Sequence, residues 1–481
     1  MATRTVQALD HELLVAGEWS ATDEWSEISN PYDGTAVGRV AQGDAALADR
    51  AVRAAHDAFE AGDFPQHERA AVLDRAAELV AERIEELTLT IAAEAGKPLK
   101  TARVEAERCV DTLTFSAVEA RKLSGGTVPM EASSTGVGKF GLTLRVPYGV
   151  VGAISPFNFP LNLVAHKLGP ALAAGNAVVL KPAGQTPISA LKLAAILDEA
   201  GLPGGWLSVV PGAGSEVGNA IVEHELTRAL TFTGSSKVGW GIRSRVPHKK
   251  VNLELGSNAP LIVHADGDWE AAADKATLHA FSHAGQSCIS IQRILVHEEV
   301  ADAFCERLVA SSEALRVGDP LDPDTDVGPL ISPGDRDRVK EWVDEAVAAG
   351  AELLTGGDLV DEGRCLAPTL LGSPPRQAKV WGEEVFGPVA TIDRYRDFGE
   401  ALRLANDSRY GLQAGVFTGD VGRALEAASA LEFGGILINE VPTFRADQMP
   451  YGGVKDSGNT REGPAYAVRE LTEERLIALQ A

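Results

Sequence analysis

Through the first ~125 residues the apolar positions recur mostly at helical spacing. Segments 44–61, 66–95 and 101–123 repeat Ala, Leu and Val with this period between Glu and Arg. They predict helices that follow a short strand region. From residue 148 the pattern changes to short apolar runs alternating with helical stretches. YGVVGAIS predicts a buried strand, and LNLVAHKLGPALAAG a helix closed by Gly175. NAVVL, the helix ISALKLAAILDEAG, WLSVV, a helix near 214–224, ALTFT and a helix from Ser235 continue the series. Strands alternating with helices predict a parallel sheet covered on both faces. A second series runs from near Asn258 to about 455 and includes QRILVHE, a helix over 335–350 and GILIN. Apolar segments near 127–146 and 468–479 fit neither series.

Length and composition sharpen this picture. A chain of 481 residues exceeds one ordinary core, so two or three units are expected. With 45% hydrophobic and 23% charged residues it reads as globular. No apolar run reaches the ~20 residues of a membrane helix. The start, MATRTVQALDHELLVAGEW, has no basic region followed by an apolar stretch, and a cytoplasmic location is expected. A net charge of −24 without a basic stripe excludes generic nucleic-acid binding. A high-salt host, a GC-rich genome or simple solubility would each explain that acidity. Cys109, Cys288, Cys305 and Cys365 form neither a disulfide framework nor a metal-binding spacing, so no metal is expected.

Ligands of doubly wound sheets sit at the carboxyl ends of strands. Asn158 follows GVVGAIS, Lys181 follows NAVVL, Gly234 follows ALTFT, and Glu254 ends KVNLEL. TFTGSSKVG is a glycine-bracketed turn into a helix, able to offer N–H groups to a pyrophosphate. It is not the usual GxGxxG fingerprint. Lys181 could reach ribose hydroxyls or phosphate, or be a snorkelling surface lysine. Cys288, in HAGQSCIS, is flanked by small residues and is a candidate nucleophile or a buried structural thiol. Asn158 could donate to an oxyanion and Glu254 could activate water.

Together SPFNFP, ALAAGNAVVLKPA, FTGSSKVG, LELGSNAP, GQSC, EEVFGP, ANDSRYGLQAGVFT and PYGGVKDSG resemble the aldehyde dehydrogenase superfamily, from about residue 12 to the C-terminus. The resemblance implies an α/β fold of two doubly wound parallel-sheet domains plus a small oligomerisation arm. Residues 1–124 and 148–256 would bind the dinucleotide, 257–462 would form the catalytic domain, and 125–147 with 463–481 the arm. It implies oxidation of a small aldehyde to its carboxylate, with NAD or NADP, through a thiohemiacetal and a thioester. Cys288 resembles the nucleophile and Glu254 the general base. Asn158 resembles the oxyanion donor acting with the Cys288 N–H, and Glu462 a proton-relay glutamate. Lys181 and Glu384 would hold the two riboses, Gly234 and Ser235 the pyrophosphate, and Phe386 would pack near the nicotinamide. Ile154, Ser155, Pro156, Ala183, Gly184, Gly214, Gly218, Phe232, Val238 and Leu255 would complete the cofactor wall. One departure stands out: the usual ELGG is here Glu254-Leu255-Gly256-Ser257, and the serine could narrow the base's freedom.

The resemblance also implies a homodimer or homotetramer, with no nucleic-acid or membrane partner. A CoA-acylating or phosphorylating relative is an alternative, which Glu254 argues against, and a non-catalytic binding protein on the same fold is another. In NAD-preferring relatives a glutamate often sits three residues after the lysine; here it is Gly184, so NADP should be accepted at least comparably with NAD. For the substrate, the strings lean toward lactaldehyde, phosphonoacetaldehyde and semialdehyde branches. Arg108 and Arg445, with Phe159 and Ser287, are expected near the substrate, and the arginines would favour an anionic or hydroxylated aldehyde.

Overall fold

A computed structural model describes residues 8–480; the expected ends of the first domain and of the arm, residues 1–7 and 481, lie outside them. The first large sheet has seven strands in the order Lys250–Leu255, Thr227–Gly234, Val150–Ile154, Ala177–Lys181, Leu207–Val209, Leu13–Val15, Glu18–Ser20. The first five are parallel, and the last two join antiparallel at the edge. The parallel part starts at Val150–Ile154, builds outward on one side to the early edge strands, then returns to the other. The strand order therefore reverses between Val150–Ile154 and Thr227–Gly234, the place where such sheets open a ligand crevice.

Local chemistry explains the elements around this sheet. The helix Ala45–Ala61 starts on Asp44, whose carboxylate accepts from Leu47 N, and ends on Gly62 in the left-handed region. Every residue of the helix Asn162–Ala174 is buried, and Gly175 at φ 90° closes it. The helix expected over 66–95 is two helices, Gln66–Glu82 and Ile84–Ala95. Arg83 between them leaves helical geometry at ψ 18°, and its guanidinium is held by Glu199 at 2.6 Å. The helix expected near 214–224 opens as a π-turn, Gly214–Gly218, before Asn219–Glu223, a form that recurs at functional sites.

The second large sheet, also seven-stranded, runs Glu352–Thr355, Thr369–Gly372, Val389–Tyr395, Ile291–His297, Ala259–Val263, Gln413–Phe417, Gly435–Ile438. Only the Glu352–Thr355 pairing is antiparallel. The two segments that fitted neither series pair with each other: Lys139–Pro147 lies antiparallel to Thr472–Gln480, with Thr127–Val128 on its far side. Pro464–Glu470 is a helix set against the helices Leu99–Lys122 and Asn162–Ala174, and its buried Val468 joins the first domain's core.

Candidate active site

The site lies where the carboxyl ends of the first sheet's parallel strands face the amino ends of the second sheet's, the chain passing directly from Leu255 to Ala259. From the first sheet comes the turn after Val150–Ile154. Glu105, fully buried, caps the following helix: its Oε1 accepts from Leu161 N at 2.9 Å and Asn162 N at 3.2 Å. Its other oxygen pairs with buried Lys97, whose ammonium sits 3.7 Å from the Phe159 ring centroid. This clamp fixes the turn just after Asn158. The Asn158 amide donates to the Gln286 carbonyl at 2.9 Å, which leaves its second N–H for an oxyanion.

Gln286 belongs to the turn that carries the thiol. His283, Ala284 and Gly285 all have positive φ, 50°, 52° and 69°. Three such residues in a row are strained for His and Ala, and the surroundings must hold them. The Gln286 side chain does so, accepting from Ile331 N at 2.9 Å and donating to His283 O at 3.1 Å. Gly285 presses on the turn that holds Phe386, itself at φ 52°; a Cβ there would come within 2.0 Å of Gly387 O. Ser287 and Cys288 keep partial exposure beyond this turn. Cys288 Sγ lies 2.9 Å from Tyr451 Oη, within a small apolar cluster of Ile289, Leu412 and Tyr451. Burial pushes the Cys288 thiol up to about 12, with the Tyr451 hydrogen bond pulling the other way.

Glu254 ends its strand facing the same space. It is buried, and neither carboxylate oxygen has a partner among the described residues. Burial, then Glu462, push its carboxyl well above the usual range, opposed by Arg445 and Lys167. Burial alone would raise Glu462 too, but Arg445 and Lys167 overcome it and keep Glu462 low. Arg445 donates to Glu462 at 2.9 Å, and the buried Lys167 ammonium lies 3.8 Å from it. One carboxylate thus holds the negative charge while the other is poised to hold a proton, a division that suits a base and its relay.

The expected cofactor residues line one side. Among the described residues Lys181 Nζ donates only to Pro182 O, at 2.8 Å, leaving donors to spare. Gly218 faces it: a Cβ there would meet Lys181 Cδ at 3.8 Å and Ile154 Cδ1 at 4.0 Å. Gly234 ends its strand against the Phe232 ring, and Ser235 begins the helix Ser236–Arg245 without a side-chain cap. The first turn of that helix carries exposed Val238, and Gly239 lets it approach Leu255. Ser155 and Ala183 are buried at the rim, Pro156 is half-buried, and Gly184 and Gly214 have open space beside them. Glu384 reaches across from the second sheet. Its Oε1 accepts from Ser257 N at 3.0 Å, and Gly256 passes so close that a Cβ would fall 2.0 Å from Oε2. Burial raises Glu384 to about 7. Spare donors at Lys181, an uncapped helix start and side-chain-free walls at Gly184, Gly214 and Gly218 fit an extended dinucleotide.

Arg108 does not present a free guanidinium. It is bidentate on Asp447, at 3.0 and 2.8 Å, and Asp447 also takes Asn162 at 3.0 Å and His166 at 2.9 Å. The pair ties the helix Leu99–Lys122 to the segment that carries Asp447. Arg445 lies deeper, 3.8 Å from the Tyr451 ring centroid, with Nε buried and unpartnered among the described residues. Phe159 is engaged by Lys97, as described. Reading the sequence missed Tyr451, Lys167 and Gln286. Lys167 could have been found as the one lysine in a mostly apolar helical stretch; Tyr451 carries no signal in PYGGVKDSG beyond the motif itself.

A thiol, an asparagine amide with a spare N–H and a buried, unpartnered carboxylate thus face one space beside a wall open to an extended ligand, an arrangement suited to an oxidoreductase that works through a covalent thioester. The chain matches the model of the aldehyde dehydrogenase family over residues 19–477, and it belongs to that family. It is an NAD(P)-dependent aldehyde dehydrogenase. It is similar to a 3-sulfolactaldehyde dehydrogenase of Priestia aryabhattai, 46% identical over 99% of both chains. It is 38% identical to a lactaldehyde dehydrogenase of Methanococcus vannielii, over 97% of this chain and 99% of the relative. Among solved structures it resembles aldehyde dehydrogenase 21 of Physcomitrella patens in complex with the reaction product succinate, with a TM-score of 0.95, 38% identity and 99% of both chains covered.

Proposed function

We propose that this enzyme oxidises a short aldehyde with an anionic or hydroxylated tail, using Cys288, Asn158 and Glu254. The observation that carries the substrate reading is Arg445: a buried guanidinium with a spare Nε, resting on the tyrosine that touches the nucleophile. Support comes from relatives named for sulfolactaldehyde and lactaldehyde, and from a neighbour holding succinate. Cys288 Sγ attacks the carbonyl carbon, and the oxyanion is received by the free Asn158 N–H and the Cys288 backbone N–H. The dinucleotide, when bound, supplies the hydride acceptor. Glu254 then takes a proton from water, which cleaves the thioester and releases the carboxylate.

Arg445→Lys keeps the charge beside Glu462 but loses the guanidinium fork. It should raise KM for 3-sulfolactaldehyde and succinic semialdehyde about 10-fold or more, with lactaldehyde affected less and hexanal little. Steady-state kinetics on this panel tests it; preference for hexanal in the native enzyme, with an unchanged ranking in the variant, removes the anionic-tail reading.

The open space at Gly184 supports use of NADP. Gly184→Glu would set a carboxylate where a 2′-phosphate is expected, and should lower kcat/KM for NADP by about 10-fold while leaving NAD nearly unchanged. Native kcat/KM strongly favouring NAD would refute the NADP reading. The arm supports a dimer or tetramer, since Phe140, Leu144, Leu476 and Leu479 are exposed on its paired strands.

A further inference from the structure

Tyr451 is held more firmly than a space-filling residue needs. Its backbone makes a two-bond bridge with Glu462, Tyr451 N to Glu462 O at 3.2 Å and Glu462 N to Tyr451 O at 2.6 Å. Its ring lies under the Arg445 guanidinium, which Glu462 fixes in turn. The hydroxyl is thereby aimed at Cys288 Sγ, 2.9 Å away, and no other hydrogen bond to that hydroxyl is found among the described residues. We propose that the Tyr451 hydroxyl is a further catalytic group, donating its hydrogen bond to the Cys288 sulfur and so stabilising the thiolate that attacks the aldehyde.

The inference rests on Cys288 being the nucleophile. In the thiol either atom can donate; once the thiol proton has left to water, only the hydroxyl can. Charge-assisted hydrogen bonds are the stronger kind, so this one strengthens as the thiolate forms. It weakens when the sulfur lone pair becomes the new C–S bond, and Tyr451 keeps its own proton throughout. Burial holds the phenol well above its ordinary range, so it stays a donor. The cation over the ring draws on its π electrons and makes the O–H a better donor. The other ionisable groups that face the sulfur are Glu384, Arg445 and Glu254, the carboxylates raising the thiol and the guanidinium lowering it. Tyr451 is the one that does so through a direct hydrogen bond.

The test uses the full-length enzyme without cofactor. Tyr451→Phe keeps the ring under Arg445 and removes only the hydroxyl. The pH profile of Cys288 alkylation by iodoacetamide should titrate at higher pH, so that alkylation at about pH 8 slows about 3-fold or more. NADP affinity, read by tryptophan fluorescence, should not change. Replacing Tyr451 with 3-fluorotyrosine preserves the packing and strengthens the donor, so the titration should move the opposite way. If Tyr451→Phe does not fold, the fluorotyrosine protein alone decides. An unmoved titration in either folded variant, with Cys288 still the alkylated residue, overturns the role of Tyr451. Mapping of the alkyl group to another cysteine would instead overturn the assignment of the nucleophile.

Discussion

Cys288→Ala should abolish aldehyde oxidation, with turnover down about 10⁴-fold or more, while dinucleotide affinity stays near native. The magnitude follows from losing the covalent route altogether, since members of a nucleophilic site act as a unit. The fold should survive, because the sulfur sits in a small, partly exposed cluster rather than in either main core. Cofactor titration and a thermal melt separate loss of chemistry from loss of structure. The remaining cysteines are poor alternatives: Cys109 and Cys365 are buried, and Cys305 lies on the helix Glu298–Glu313, outside the site. Activity that persists in Cys288→Ala but disappears on changing one of those three would remove the mechanism.

Glu254→Gln should separate the two halves of the reaction. The amide fills the same space but cannot take a proton from water. The first turnover should give a burst of about one reduced cofactor per site, after which steady turnover falls about 10²–10⁴-fold. The pH dependence follows from the raised Glu254 carboxyl. Glu254 works as a base only when ionised. Deacylation in the native enzyme should therefore increase with pH through a value above the ordinary carboxylate range and fail below it. The variant should lose that limb. Rapid-mixing traces across pH check both points; a variant that shows no burst, or turns over normally, rules out the assignment.

Much of this site could be read from the chain because its parts are local. Lys181, Gly234 and Glu254 stand at the ends of strands whose apolar runs are unmistakable, and turn glycines bracket the helix starts. Long-range partners could not be read. Arg108 looked available because its partner Asp447 lies 339 residues away in sequence. The strand Thr472–Gln480 alternates too weakly to reveal that it pairs with Lys139–Pro147. The break at Arg83 is hidden because Ile84 keeps the apolar spacing across it, although no residue between Val80 and Leu87 is buried. Tyr451 illustrates the same limit at the scale of one atom: the motif gives its position in the chain, and only the folded loop gives the direction of its hydroxyl.

The contact between Gly285 and Gly387 has a consequence for anyone wishing to re-engineer this enzyme. The loop that bears the sulfur and the loop that bears Glu384 and Phe386 touch backbone to backbone, with no side chain between them to absorb a change. A substitution within residues 384–387 would therefore shift Cys288 as well. Gly184, on the opposite wall and facing open space, offers a handle free of that linkage.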